Sequence, residues 1–450
     1  MLNFLLTHTP LLYLTQSLWR DEAYSILVAQ KPIAFFFGKL TFEPPLYYIL
    51  LHFWMKLFGT SEIAARSLSL VAFMFATIVV IVWAEKLFGK HWLAWFLPIF
   101  FFLNPMLLYY AFEVRTYGWY ILFATVSLFA YMEKKWRWYV AATVLGFYTH
   151  SFFILLPFVQ GVHYLFTHRK IFHIRHITSL FIDPMIQSLV SIGLLTSPWL
   201  LVIMQASRKL TSSWYYPVDF HLIRSVLGNI FFGYEGTPAF LWPATAGVSI
   251  ILLMIFLFTL TSKETRRRNF FFFLAIFIPL IIVIGISFIK PLFVNRYLIP
   301  VTISQVFLIS FAIEKIQRSA LQKFAGLTSL VIILGANIIA PSFHKKIDIR
   351  NTMMQINALK TKQDIIFAQT PLVLFESMYY SKEPSRVFLY NPNDSAFPWY
   401  VGDIIITPSV MATSLPAYPI RAFLVKEDGS FMVVYQTSVT AKPRTTPIRK

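Results

Sequence analysis

Four short polar motifs interrupt an otherwise greasy chain: Trp19-Arg20-Asp21-Glu22-Ala23-Tyr24-Ser25, Glu113-Val114-Arg115-Thr116-Tyr117, Tyr148-Thr149-His150, and Arg296-Tyr297 shortly after Lys290. Each lies beside a long apolar run. Charge is costly at such a depth: an ionised side chain at a bilayer centre costs about 2.5–3.5 kcal/mol on insertion scales. Carboxylates in such places can take a proton from an attacking hydroxyl, and a guanidinium can hold a phosphate bidentately. Each motif also has a plain structural reading. Asp21-Glu22 can be loop charge, Glu113 and Arg115 an ion pair fixing a turn, His150 a hydrogen-bonded structural residue, and Arg296 a snorkel to lipid phosphate. His52 and His163 read as structural, and Asp183 as a cap or loop charge.

The elements that must position these motifs are membrane helices. Of 450 residues, 57% are hydrophobic and only 13% charged, about half the charged share of a soluble domain. Runs 68–83, 92–110, 186–204, 239–260, 270–289, 297–313 and 324–339 carry almost no charge. They approach the roughly 17–25 residues that cross the hydrocarbon as a helix, and they lack the alternation of barrel strands. The expected fold is an all-α polytopic bundle of about ten or eleven transmembrane helices with a small C-terminal α/β domain.

The net charge of +19 does not indicate a nucleic-acid partner, because the basic residues are concentrated in short loops. Loops 85–91, 133–137, 168–176, 262–269 and 314–323 hold 15 Lys/Arg, whereas the longer loops 19–60, 111–117, 205–238 and 290–296 hold 10. The density bias exceeds about threefold, so the first set reads as cytoplasmic and the second as outer. All four polar motifs then lie at one level, the outer end of the bundle. With no cysteine in the chain, disulfides and thiolate metal sites are excluded.

Only 18 residues precede Trp19, interrupted by His8 and Pro10, and they read either as a short first span starting inside or as the remnant of a longer helix; no signal-peptide pattern is visible. Pro44-Pro45 reads as a helix start, and the segment Leu46–Phe58 as a helix along the interface with Tyr47, Tyr48 and Trp54 at headgroup depth. Ser61 reads as the N-cap of the next helix. The expected organisation is a transmembrane domain over 1–341, with an outer catalytic loop at about 19–60, an extracytoplasmic α/β domain over 342–440 and a disordered basic tail over 441–450. In that domain, 364–369, 386–390 and 402–407 read as strands, Pro371–Tyr380 as a helix and 421–435 as a hairpin turning at 427–430.

Asp21-Glu22, Glu43-Pro44-Pro45-Leu46-Tyr47-Tyr48, Phe58-Gly59-Thr60-Ser61-Glu62 and Ala65-Arg66-Ser67-Leu68-Ser69 resemble the GT-C glycosyltransferases. The nearer resemblance is to their bacterial protein-mannosyltransferase-like and aminoarabinose- or galacturonosyl-transferase-like branch. Asn104-Pro105, Tyr109-Tyr110, Glu113-Val114-Arg115-Thr116-Tyr117 and Tyr148-Thr149-His150 continue the series in order, and Asn295-Arg296-Tyr297 is similar to its late motif. The strong part covers residues 19 to about 166. Family members usually carry a full first helix before the Asp-Glu motif, a departure here.

The resemblance implies transfer of a monosaccharide from a polyprenyl-phosphate donor to a glycan, lipid or protein hydroxyl at the outer face of the cell membrane. It implies Asp21 as base, Glu22 and Glu113 as further catalytic carboxylates, and Arg296, Arg115, Arg20 and Tyr297 on the donor phosphate. Glu43, Tyr117 and His150 would meet acceptor or sugar. The resemblance makes no cofactor certain, since metal use varies across such enzymes, and Glu43, Glu113 and His150 offer ligands for a divalent metal. A lipid or sugar transporter, or a non-catalytic scaffold, is the alternative; charges gathered at one face and the lack of duplicated halves favour the enzyme.

Overall fold

The computed structural model describes residues 2–40, 42–168, 183–207, 215, 217–233, 239–398, 401–402 and 404–437. They form two compact units: Met1–Gln16 with Ala29–Lys345, and Ser17–Val28 with the described residues from Lys346 onward.

The first unit is a helical bundle. Six of its helices are long and apolar enough to cross a membrane: Glu62–Phe88, Pro184–Ser207, Trp242–Leu260, Arg266–Ser287, Asn295–Glu314 and Ser319–Phe343. Leu93–Phe102 and Pro105–Ala111 form a seventh if counted as one span bent by 55°. Leu46–Phe58, Tyr117–Met132, Ser151–Thr167 and Phe220–Phe232 are shorter apolar helices, and the expected ten to eleven is reached only with these. The protein is a multi-pass membrane protein.

All seven apolar runs seen in the sequence are helical, with one qualification. The run 92–110 breaks at Asn104, whose side chain accepts the Leu107 N–H at 3.1 Å as an N-cap, with Pro105 at the first helical position. A new helix start inside an apolar run bends the chain. Ser61 caps its helix by accepting the Ala64 N–H at 3.3 Å, and Asp183 accepts those of Met185 and Ile186 at 2.9 and 3.2 Å. Helix Ile299–Glu314 is buried nearly all round, and Leu93–Phe102, Tyr117–Met132, Trp242–Leu260 and Arg266–Ser287 pack on it.

Leu46–Phe58 corrects one expectation. Tyr47 and Tyr48 are fully buried against protein instead of facing headgroups, and the Trp54 indole donates to the Ala64 carbonyl at 2.8 Å. The exposed residues of that helix are Phe53, Lys56, Leu57 and Phe58. Composition alone does not distinguish an aromatic facing a bundle from one facing headgroups.

The second unit carries a five-stranded sheet: β1 (Ile365–Ala368), β2 (Val387–Tyr390), β3 (Met411–Ala412), β4 (Ala422–Val425) and β5 (Phe431–Val434), in the order β3-β2-β1-β4-β5. All neighbours are parallel except β4 and β5. The helix Pro371–Tyr380 connects β1 to β2, as a parallel pair requires. The expected hairpin is β4–β5, its turn closed by Lys426 N–H donating to the Ser430 carbonyl at 2.9 Å, with Gly429 at φ +82°. The strand expected at 402–407 is absent from its described residues; Met411–Ala412 takes the edge position instead. Proline at 408 and glycine at 402 interrupt a pattern whose alternation alone suggested a strand. The expected tail 441–450 lies outside the described residues.

Candidate functional site

In the membrane unit, the turn 112–116 between helices Pro105–Ala111 and Tyr117–Met132 carries Glu113 and Arg115. An Arg115 Nη lies 3.1 Å from Glu43 Oε1, and the Tyr48 hydroxyl donates to the other oxygen of Glu43. The Glu43-Pro-Pro and Glu113-Val-Arg motifs, about 70 residues apart, therefore meet. The backbone of this turn is itself fixed: the Ser69 hydroxyl donates to the Arg115 carbonyl at 3.1 Å. Next to it, a Cβ on Gly118 would stand 2.4 Å from the Ser69 carbonyl oxygen, so only glycine lets the two helices approach this closely.

Arg296 and its neighbours complete the cluster. Arg296 is 8% exposed and Glu113 only 2%. Both act electrostatically on the buried hydroxyls of Tyr110 and Tyr117, whose rings lie 4.7 Å apart. His150, which feels the charges of Arg115 and Arg296, stacks flat on Tyr120 with centroids 4.7 Å apart and lies 5.0 Å from the Tyr297 ring. The Tyr120 hydroxyl donates to the Tyr297 carbonyl at 3.0 Å, and the Tyr215 and Tyr297 hydroxyls share a 3.0 Å hydrogen bond. Two guanidinium groups, two carboxylates and several aromatic rings thus converge. Such a set can bind an anion at the cations and a sugar against the ring faces.

Side chains from neighbouring helices hold this framework. Arg66, fully buried, donates to the carbonyls of Leu14 and Gln16 at 3.0 and 2.7 Å. Asn104, Thr302 and Gln305 donate to the carbonyls of Phe231, Ile230 and Leu227 at 3.1, 2.9 and 3.0 Å. The last turns of helix Phe220–Phe232 are therefore pinned by two neighbours, which satisfies carbonyls that lipid could not.

Arg20, Asp21 and Glu22 belong to the second unit, at the start of helix Arg20–Ala29. Glu22 is fully buried; its Oε2 accepts the Trp19 N–H at 3.3 Å and lies 2.9 Å from Lys346 Nζ. Asp21 lies 3.5 Å from Arg20 Nε and keeps part of its side chain exposed. The Tyr380 hydroxyl accepts the Leu18 N–H at 2.7 Å. Glu376 is buried nearby. Burial pushes its carboxyl up to about 8; Lys346 and Arg20 oppose this, while the Glu22 and Asp21 carboxylates add to it.

Two solved structures share this architecture. Over 94% of the chain it is similar to ArnT from Cupriavidus metallidurans in the apo state (TM-score 0.60, 15% identity, 90% of that chain). Over the same share it is similar to ArnT from the same organism bound to undecaprenyl phosphate (TM-score 0.58, 14% identity, 92% of that chain). The chain has an ArnT-like fold. No family model and no curated protein matches the sequence.

Within this ArnT-like fold, the structure gathers Glu43, Glu113, Arg115, Tyr117, His150, Arg296 and Tyr297 in the membrane unit, while Arg20, Asp21 and Glu22 fold with the C-terminal sheet domain. His52 and His163 are engaged structurally: His52 Nδ1 lies 2.7 Å from the Ala29 carbonyl and His163 Nδ1 2.7 Å from the Tyr131 hydroxyl. Glu43, Glu113 and His150 are not gathered as a three-ligand group among the described residues. Glu43 is engaged by Arg115 and Tyr48, and His150 Nδ1 accepts the Phe152 N–H at 3.3 Å. Sequence reasoning passed over Lys346, Glu376 and Tyr215. Lys346 sits just past a span in a His-Lys-Lys run that reads as a membrane-edge anchor, so no local signal marked it.

Proposed function

We propose that this protein is a membrane glycosyltransferase that moves a monosaccharide from a polyprenyl-phosphate donor to a hydroxyl acceptor at the outer face of the membrane. The observation that carries this reading is the grouping of Arg115, Arg296, Glu43 and Glu113 with the rings of Tyr117, His150 and Tyr297 at the ends of membrane helices. The ArnT-like fold supports it: one of the similar ArnT structures holds undecaprenyl phosphate. The loop-charge asymmetry of the sequence supports the outer face for the site and for the C-terminal domain.

The chemistry is a single displacement. The acceptor oxygen bonds to the anomeric carbon as the bond from that carbon to the phosphate oxygen breaks; the acceptor proton passes to the Asp21 carboxylate, and polyprenyl phosphate leaves as an anion. Inversion follows from one displacement, and carboxylates stabilise the oxocarbenium-like transition state. Arg296 and Arg115 receive the phosphate, with Arg20 and Tyr297 assisting. Glu113 orients the acceptor. Tyr117, His150 and Glu43 line the sugar. No metal step is invoked.

The test is to incubate the purified protein in lipid nanodiscs with a panel of polyprenyl-phosphate sugars and an acceptor extract, and to follow released polyprenyl phosphate. Release from one donor with the sugar recovered on an acceptor is the expected result. Movement of intact donor between leaflets without release would replace the enzyme by a transporter.

A further inference from the structure

The ion pair between Glu22 and Lys346 has no part in the chemistry above. Glu22 has no exposed surface, and its partner Lys346 comes from a point in the chain more than 320 residues later. Burial of a carboxylate is tolerated only when the charge is paired and hydrogen-bonded. Glu22 meets both conditions: Lys346 Nζ at 2.9 Å, and the Trp19 N–H at 3.3 Å three residues back. The second contact is the backbone half of a capping box, which satisfies an orphan N–H at the helix start. Lys346 also stands 5.6 Å from the centre of the Trp19 ring.

The chain just before this turn is held as well. The Tyr380 hydroxyl accepts the Leu18 N–H at 2.7 Å and a hydrogen bond from Ser17 Oγ at 3.2 Å, and the Arg350 N–H donates to Ser17 Oγ at 3.3 Å. Inside the turn, Ser25 Oγ donates to the Asp21 carbonyl at 2.9 Å. Neighbouring side chains on a helix point about 100° apart, so tying Glu22 inward sets the direction of Asp21.

We propose that Lys346 is a positioning residue for the transfer reaction: through Glu22 it fixes the helical turn that aims Asp21. The inference rests on Asp21 being the acceptor base. The C-terminal domain thereby acts as the brace of the first acidic motif, and its Tyr380 and Arg350 contacts share that task. Geometry of this kind governs rate more than binding, because a misplacement of about 1 Å of a reacting group costs on the order of 100-fold.

The experiment compares wild type, Lys346→Met, Lys346→Arg, Glu22→Gln and the Glu22→Gln/Lys346→Met double variant, all as the full chain in nanodiscs. It reads kcat and donor KM, binding of undecaprenyl phosphate, and amide exchange of residues 17–28 and of the C-terminal strands. Lys346→Met is expected to lower kcat by about 100-fold with donor KM and undecaprenyl phosphate binding unchanged. Exchange should quicken in 17–28 while the strands stay protected. Lys346→Arg should rescue much of the rate, and the double variant should exceed Lys346→Met, because no lone charge stays buried. Unchanged exchange at 17–28 in Lys346→Met, or loss of protection in the strands to the same degree, overturns the proposal. A wild-type protein that turns over no donor overturns the glycosyltransferase reading instead, and the exchange arm is read independently of it.

Discussion

Two carboxylate–cation pairs in this protein have the same chemistry and opposite surroundings. In the membrane unit, Glu43 and Arg115 meet at 3.1 Å with side chains 33% and 12% exposed. In the second unit, Glu22 and Lys346 meet at 2.9 Å with side chains 0% and 11% exposed. The first carboxylate retains access to solvent, so losing Arg115 leaves Glu43 partly solvated. The second has no such access; separating it strands a charge. Burial thus separates the two carboxylates, in keeping with the proposed roles: Glu43 near substrate and Glu22 holding the backbone.

The sharpest test of the division is at Asp21, which the closed pair braces but which remains partly accessible. Asp21→Asn should lower turnover by about 10²–10⁴-fold with undecaprenyl phosphate binding intact; lost binding with surviving chemistry would reverse the roles. Next come the pairs themselves. Removing one partner of a buried pair costs about 3–5 kcal/mol and of an exposed pair under about 1. Amide exchange of residues 17–28 in Lys346→Met should therefore quicken strongly, whereas Arg115→Met, which leaves Glu43 one-third exposed, should cost less stability and weaken donor binding. Equal stability losses would erase the contrast.

A smaller, pH-dependent effect sits beside the closed pair. Glu376 is raised from 4.5 to about 8 by burial, among Lys346, Arg20, Glu22 and Asp21. Between those values the folded protein holds a proton that the unfolded chain releases, so stability declines as pH rises from about 4.5 to 8, by at most about 1.4 kcal/mol per pH unit. Glu376→Gln should remove that decline: melting temperatures of variant and wild type converge near pH 5 and separate in the variant's favour by pH 9. The least effect is expected of Tyr380→Phe, which deletes the acceptor of the Leu18 N–H and should cost about 1–2 kcal/mol, seen as faster exchange at residues 17–22.

Much of the fold was legible because lipid imposes a simple rule on sequence. A backbone crossing hydrocarbon must satisfy its own hydrogen bonds, so apolar runs such as 68–83 and 270–289 read directly as helices. Local capping chemistry was equally legible at Ser61 and Asp183, and period-two alternation with a Gly turn gave the β4–β5 hairpin. Where partners decide, reading failed. Tyr47 and Tyr48 face protein, and the outermost strand beside β2 lies at Met411–Ala412 because pairing with β2, more than its own alternation, defines it.

The same line divides the site. Residue types and order along the chain were enough to single out Asp21, Glu43, Glu113, Arg115, His150 and Arg296, since ionised groups beside membrane spans are too costly to be kept without a use. Only the tertiary structure decided their company: Arg115 with Glu43, His150 on Tyr120 beside Tyr297, and Glu22 with Lys346. A sequence records which charges exist. Which of them are solvated and which are sealed depends on what the fold places around them, and that difference separates Glu43 beside Arg115 from Glu22 beside Lys346.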